Sequence, residues 1–123
     1  MAGETQLFKI DTVVADGVAL PIADDSASLT GAARWENEVQ VSSSGDDFNK
    51  RKRVPTTLAM KLQFGPTTDP AAFAAMADIQ ITGRDSQSGR RCLMPRCSFG
   101  SMGAIGGGAV DVVFNVLAAP QWL

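Results

Sequence analysis

Three small groups of residues in this chain are of types that could do chemistry. Carboxylates come close together as Asp24-Asp25, Glu36-Glu38 and Asp46-Asp47. Two cysteines stand in "CLMPRC" at Cys92 and Cys97, and four cations run consecutively from Lys50 to Arg53. Glu36 and Glu38 share a strand face by spacing, which is compatible with an acid pair or a divalent cation. Nothing places a third ligand beside them, so a solvated polar face is the simpler reading. The chain has no histidine and no tyrosine, which leaves its serines without an imidazole base. Two cysteines with no histidine do not make a zinc site. Extended chain would hold Cys92 and Cys97 roughly 16 Å apart, against a bridging limit of about 7 Å. Two buried thiols in a reducing compartment are therefore expected. "GAIGGG" precedes a strand rather than opening a helix, and no Lys-Ser/Thr follows it; it reads as a flexible link, not a phosphate loop. These residues predict no catalysis, no metal and no cofactor.

Composition narrows the class. At 123 residues the chain reads as one domain, 1–123, and 45% hydrophobic content excludes disorder by composition. Lys and Arg total 11 against 13 Asp and Glu, a net charge of -2. A protein that coats nucleic acid with its whole surface is normally basic. The start, "MAGETQLFKI", lacks the basic-then-apolar layout of a secretory signal. No uncharged apolar run approaches the ~20 residues of a membrane span. Synthesis and folding in the cytoplasm, away from any membrane, are the expectation.

The elements that must position these groups are strands. "QLFKIDTVV" and "GVALPI" read as two short strands joined at the Asp16-Gly17 turn. From Ser26, "SASLTGAARWENEVQVS" alternates: Leu29, Gly31, Ala33, Trp35, Val39 and Val41 face one way. Thr30, Arg34, Glu36, Glu38 and Gln40 face the other, with Asn37 as the exception on the apolar side. "TTLAMKLQF" resumes the pattern, with Leu58, Met60, Leu62 and Phe64 opposite Thr57, Ala59, Lys61 and Gln63. These two segments are expected to form one long antiparallel hairpin. Asp69, Pro70 and "AAFAAMA" predict a short capped helix with Phe73, Met76 and Ala77 on its apolar edge. Strands follow as "DIQITGRD", "RRCLMPRCSF" and "AVDVVFNVLAA", the last with Asp111 and Asn115 on its polar side. The fold class is all-β with one short α-helix, a barrel or sandwich of about seven strands carrying a long hairpin arm.

Residues 42–54, "SSSGDDFNKRKRV", form the tip of that hairpin and exceed the usual two to five loop residues. Asp46 and Asp47 lie on one limb; Lys50, Arg51, Lys52 and Arg53 begin the other. Phe48 is the one aromatic available for base stacking. A solvated loop, an arm that grips a partner and a nucleic-acid patch all remain open on the residues alone.

The order of segments resembles the Mu-like family of bacteriophage tail tube proteins from about Asp16 to Ala118. The resemblance runs through "DGVALPI", "SASLTGAARWENEVQV", "FNKRKRVPTTLAMKL", "DPAAFAAMADIQI", "GRDSQSGRRCLMP" and "VDVVFNVLAA". The cysteine pair and the terminal "PQWL" depart from it. The resemblance implies a structural virion protein without enzymatic activity, the major tail tube subunit. It implies hexameric rings, stacked axially into a hollow tube that conducts the genome, with strands pooled into a continuous inner β-barrel. Its partners are then further copies of itself and other tail components at the tube ends. It places Asp46, Asp47, Phe48 and Lys50 to Arg53 in an inter-subunit arm. DNA is then expected to pass through the lumen without specific binding, along the polar face of Thr30, Arg34, Glu36, Glu38, Gln40, Thr57, Lys61, Gln63, Asp111 and Asn115. That face is expected to be acidic on balance, with Arg34 and Lys61 either paired to Glu36 or Glu38 or lying near a subunit boundary. The alternatives are a β-barrel module for single-stranded nucleic acid and the tube subunit of a related secretion apparatus.

Overall fold

A computed structural model describes residues 7–66 and 68–123. Gln6, at the head of the first predicted strand, lies outside the described residues. Among the described residues ten strands and one helix follow in order: β1 (Thr12–Ala15), β2 (Val18–Ala19), β3 (Ser28–Thr30), β4 (Trp35–Gln40), β5 (Phe48–Arg53) and β6 (Thr56–Gln63). Then come α1 (Pro70–Ala74), β7 (Ile79–Arg84), β8 (Arg91–Met102), β9 (Ala109–Val116) and β10 (Gln121–Trp122).

The main sheet is antiparallel, in the order β2-β1-β7-β8-β9-β6-β3, with β10 on β8. The chain from Val18 to Ala23 rounds it into a barrel. Its first part pairs with β1, and the Leu20 amide donates to Val13 O at 2.9 Å. Its second part pairs with β6: Gln63 N donates to Pro21 O at 2.8 Å and Ala23 N to Lys61 O at 2.7 Å. One short segment thus serves both edges.

Alternation does the rest. Leu58, Met60 and Leu62 on β6 and Val110, Val112, Phe114 and Val116 on β9 point inward, joined by Val13, Ile81 and Met94. Phe99 and Phe114, partners across β8 and β9, meet edge to face with ring centroids 6.0 Å apart. The predicted helix forms, capped by Asp69, whose Oδ1 accepts from Ala71 N at 3.0 Å, with Pro70 in its first turn. Phe73 is buried against the barrel and Met76 packs beside it; Ala77 is exposed, not part of that edge.

Cys92 and Cys97 are free and buried. Burial pushes the Cys92 thiol up, and that of Cys97 up to about 11. Native protein at pH 8 is therefore expected to resist iodoacetamide for hours, whereas urea-unfolded protein takes two labels per chain. Mass spectrometry of the two samples checks this; rapid labelling of folded protein would contradict it.

Two carboxylates fasten the 85–90 turn. The Ser86 hydroxyl and amide hold the Asp11 carboxyl below its ordinary value against partial burial. Burial of Asp85 pushes its carboxyl up, but the Gln87 amide, the Ser88 hydroxyl and the Lys9 amide together outweigh that and lower it. Both folded values sit below the unfolded one, so their stabilisation is full above about pH 4 and fades as pH falls through the folded values. Thermal melts should hold steady from pH 7 to 5 and drop below pH 4, less steeply in Asp85→Asn.

Candidate functional site

The predicted long hairpin divides in two. Gly31 turns at φ +72 and Arg34 at φ +68, and Pro55 interrupts the returning limb at the same level. Beyond that break, β4 and β5 pair only with each other, as a separate two-stranded sheet. The expectation that strand 26–41 pairs with strand 57–64 holds only at Ser28–Thr30 against Thr57–Ala59. Lys50 to Arg53, read as part of a loop, lie inside β5; the tip shrinks to 41–47, turned at Gly45 with φ +95. The limbs are pinned at the base: Val54 N donates to Arg34 O at 2.9 Å, and Thr56 Oγ1 to Gly31 O at 2.8 Å.

Every residue of β4 and β5 is exposed. Its register sorts the charges. On one face Glu36 stands opposite Lys52 and Glu38 opposite Lys50, with Gln40 opposite Phe48. Opposed charges at these positions are the cross-strand equivalent of a weak ion pair. On the other face Arg51 lies over the Trp35 ring at 4.3 Å and Arg53 at 6.0 Å, while Asn49 donates to Asn37 Oδ1 at 3.1 Å. Phe48 and Val39 are each 65% exposed and Val41 is 86% exposed. A lone hairpin of this size is marginally stable in water, and its apolar side chains lack cover.

The candidate polar face likewise separates into two. Thr30, Thr57, Lys61, Gln63, Asp111 and Asn115 occupy one continuous outer surface, because Thr30 pairs with Thr57, Thr57 with Asn115, and Lys61 with Asp111. Ser98 extends it through its pairing with Asn115. Arg34, Glu36, Glu38 and Gln40 belong to the arm and its base. Within one chain, neither Arg34 nor Lys61 pairs with Glu36 or Glu38, the first of the two placements expected for them. Lys61 faces Asp111 across the strands, and Arg34 Nη1 is buried without a hydrogen-bond partner. With its one lysine opposite its one aspartate, the barrel surface just described is neutral rather than acidic.

Sequence reasoning missed three participants. Trp35 was assigned to an apolar sheet face, yet it is the platform for two arginines. Its cue was the Arg-x-Arg spacing of Arg51 and Arg53, two residues apart on one strand face. The Gly31/Pro55 break was visible as breakers on both limbs. β10, within "PQWL", had no cue of its own; Trp122 is held by Phe8 at 5.3 Å and Arg90 at 4.8 Å.

Comparison with known proteins bears on the fold. No protein-family model and no curated protein matches the sequence. Solved structures do match. A chain of the sheath–tube complex of an extracellular contractile injection system (PVC, extended state) superposes with a TM-score of 0.61 at 10% identity, covering 98% of this chain and 93% of that one. The sheath/tube terminator of the same system gives 0.61 at 8% identity, over 96% and 97% of the two chains. The tube-terminating cap of the anti-feeding prophage gives 0.59 at 10%, over 97% and 93%. The fold is shared with these chains of contractile injection particles. The likeness spans nearly the whole of both partners, and it does not single out the Mu-like branch.

Proposed function

We propose that this chain is a tail tube subunit of the Mu-like type, whose copies form hexameric rings that stack into a hollow tube conducting a phage genome. The observation that carries this reading is a fold shared with tube components along 98% of the chain. The exposed arm supports it, since a separate two-stranded sheet with uncovered Phe48, Val39 and Val41 calls for a partner surface.

In this reading the neutral outer face from Thr30 to Asn115 lines the bore. Hydroxyls and amides, with Lys61 opposite Asp111, offer a polyanion little to hold, because each unpaired cation would bind phosphate by releasing counterions. Strands of neighbouring copies would continue the barrel wall and remove open edges.

A second reading is favoured by the same comparisons: the tube of a related injection apparatus, with a different cargo. The nucleic-acid module is disfavoured by the register, which sets Glu38 and Glu36 directly against Lys50 and Lys52. Sedimentation velocity of the purified chain separates these classes. Concentration-dependent growth to large, uniform particles is the expected result. A stable monomer that binds single-stranded oligonucleotide in low salt would overturn it.

A further inference from the structure

The two ends of the arm are chemically complementary. At the base, Arg34 and Arg53 line a cleft of about 360 Å³ walled by Val54, Pro55 and Leu117, and no carboxylate lines it. Arg34 Nη1 is the one buried side-chain nitrogen or oxygen without a partner among the described residues. Leaving a buried charged donor unsatisfied is unfavourable. The other arm cations have local company: Lys50 and Lys52 stand opposite glutamates, and Arg51 stacks on Trp35.

At the tip, Asp46 and Asp47 are exposed beside the uncovered Val41 and Phe48. The other close acid pairs are occupied. Asp24 and Asp25 hold Lys9 at 3.3 and 2.8 Å, and Glu36 and Glu38 face lysines. Strands of six residues separate tip from base by roughly 20 Å, so an arm cannot reach its own cleft.

We propose that the Asp46-Asp47 tip of one copy docks in the Arg34–Arg53 cleft of the next, with Phe48 against the apolar wall at Leu117. This deepens the tube-subunit reading and rests on it, naming the contact between copies. Each hairpin carries both halves, so the contact is head-to-tail and either closes into a ring or propagates.

The test is a charge exchange, read by sedimentation velocity on the full chain. Asp46→Lys with Asp47→Lys, and separately Arg53→Asp, should each weaken association on the order of a hundredfold. With Arg34 still in the cleft, combining the three should recover only part of the loss caused by the tip reversal, because the reversed Arg53 site then offers one carboxylate to the two new lysines. Arg53 is reversed rather than half-buried Arg34 so that the fold is retained, which circular dichroism verifies. Single reversals that associate like wild type, or a combination that associates no better than the tip reversal alone, overturn the pairing and leave the tube reading standing. Wild-type oligomers that never become tubes but obey the exchange overturn the tube reading and keep the pairing. A wild type that is monomeric at every concentration overturns both. Oligonucleotide binding lost in Arg53→Asp, with association unchanged, would assign the cleft to phosphate and also overturn the pairing.

Discussion

Replacing residues 36–52 with a two-residue Asn-Gly turn is expected to abolish association while leaving the barrel folded. Trp35 and Arg53 are register partners, so a tight turn can join them without moving either limb's base. No residue of the arm belongs to the buried core, so stability should change by about 1 kcal/mol or less. The Gly31–Thr56 and Arg34–Val54 hydrogen bonds that organise the base lie outside the deletion. Thermal melting should thus resemble wild type while sedimentation reports only monomer. Retained large particles would show that other surfaces hold copies together. Loss of the melt would show that the arm supports the barrel.

Gly31→Ala carries the other large effect, and it acts through the barrel. A Cβ at Gly31 would lie 2.2 Å from the carbonyl oxygen of Pro55, and the residue stands at φ +72. The obstacle is backbone, so no side chain can rotate away. The left-handed conformation alone costs about 1–2 kcal/mol for a residue with a Cβ. Displacing Pro55 also strains the Thr56 Oγ1 hydrogen bond to Gly31 O, made by a buried threonine. A loss on the order of 3 kcal/mol is expected, in the range of severe single substitutions. Gly17→Ala is the control: it shares a positive φ but has open space where its Cβ would go, so its cost should be only the conformational share. Equal urea midpoint shifts for the two variants would contradict the steric account.

The barrel was legible because its strands bury one face each, and period-two alternation survives in Leu58–Leu62 and Val110–Val116. The short helix was legible from Asp69 and Pro70, which act locally. The arm was harder. Alternation continues from Leu29 to Val39 with Asn37 as its one lapse, but it means different things on either side of Gly31. Before it, the apolar residues fill the barrel; after it, both faces meet solvent, and the pattern reflects cross-strand pairing alone. The signal that divides them is the pair of breakers, Gly31 and Pro55, set at one level of the two limbs. The charge exchange was hidden for a similar reason. Lys50 to Arg53 form a run in sequence, but a strand sends alternate members to opposite faces, so lysines meet glutamates while arginines meet Trp35. The double service of Val18–Ala23 and the placement of β10 depend on contacts distant in sequence, which no local pattern encodes.

Copies of this chain are proposed to build a hollow tube. Electron microscopy of the purified, concentrated protein tests it most directly. Stacked rings around an open bore are expected, with each arm lying on a neighbouring copy and the Thr57–Asn115 face turned to the lumen. Isolated monomers, or filaments without a bore and with that face turned outward, would contradict it.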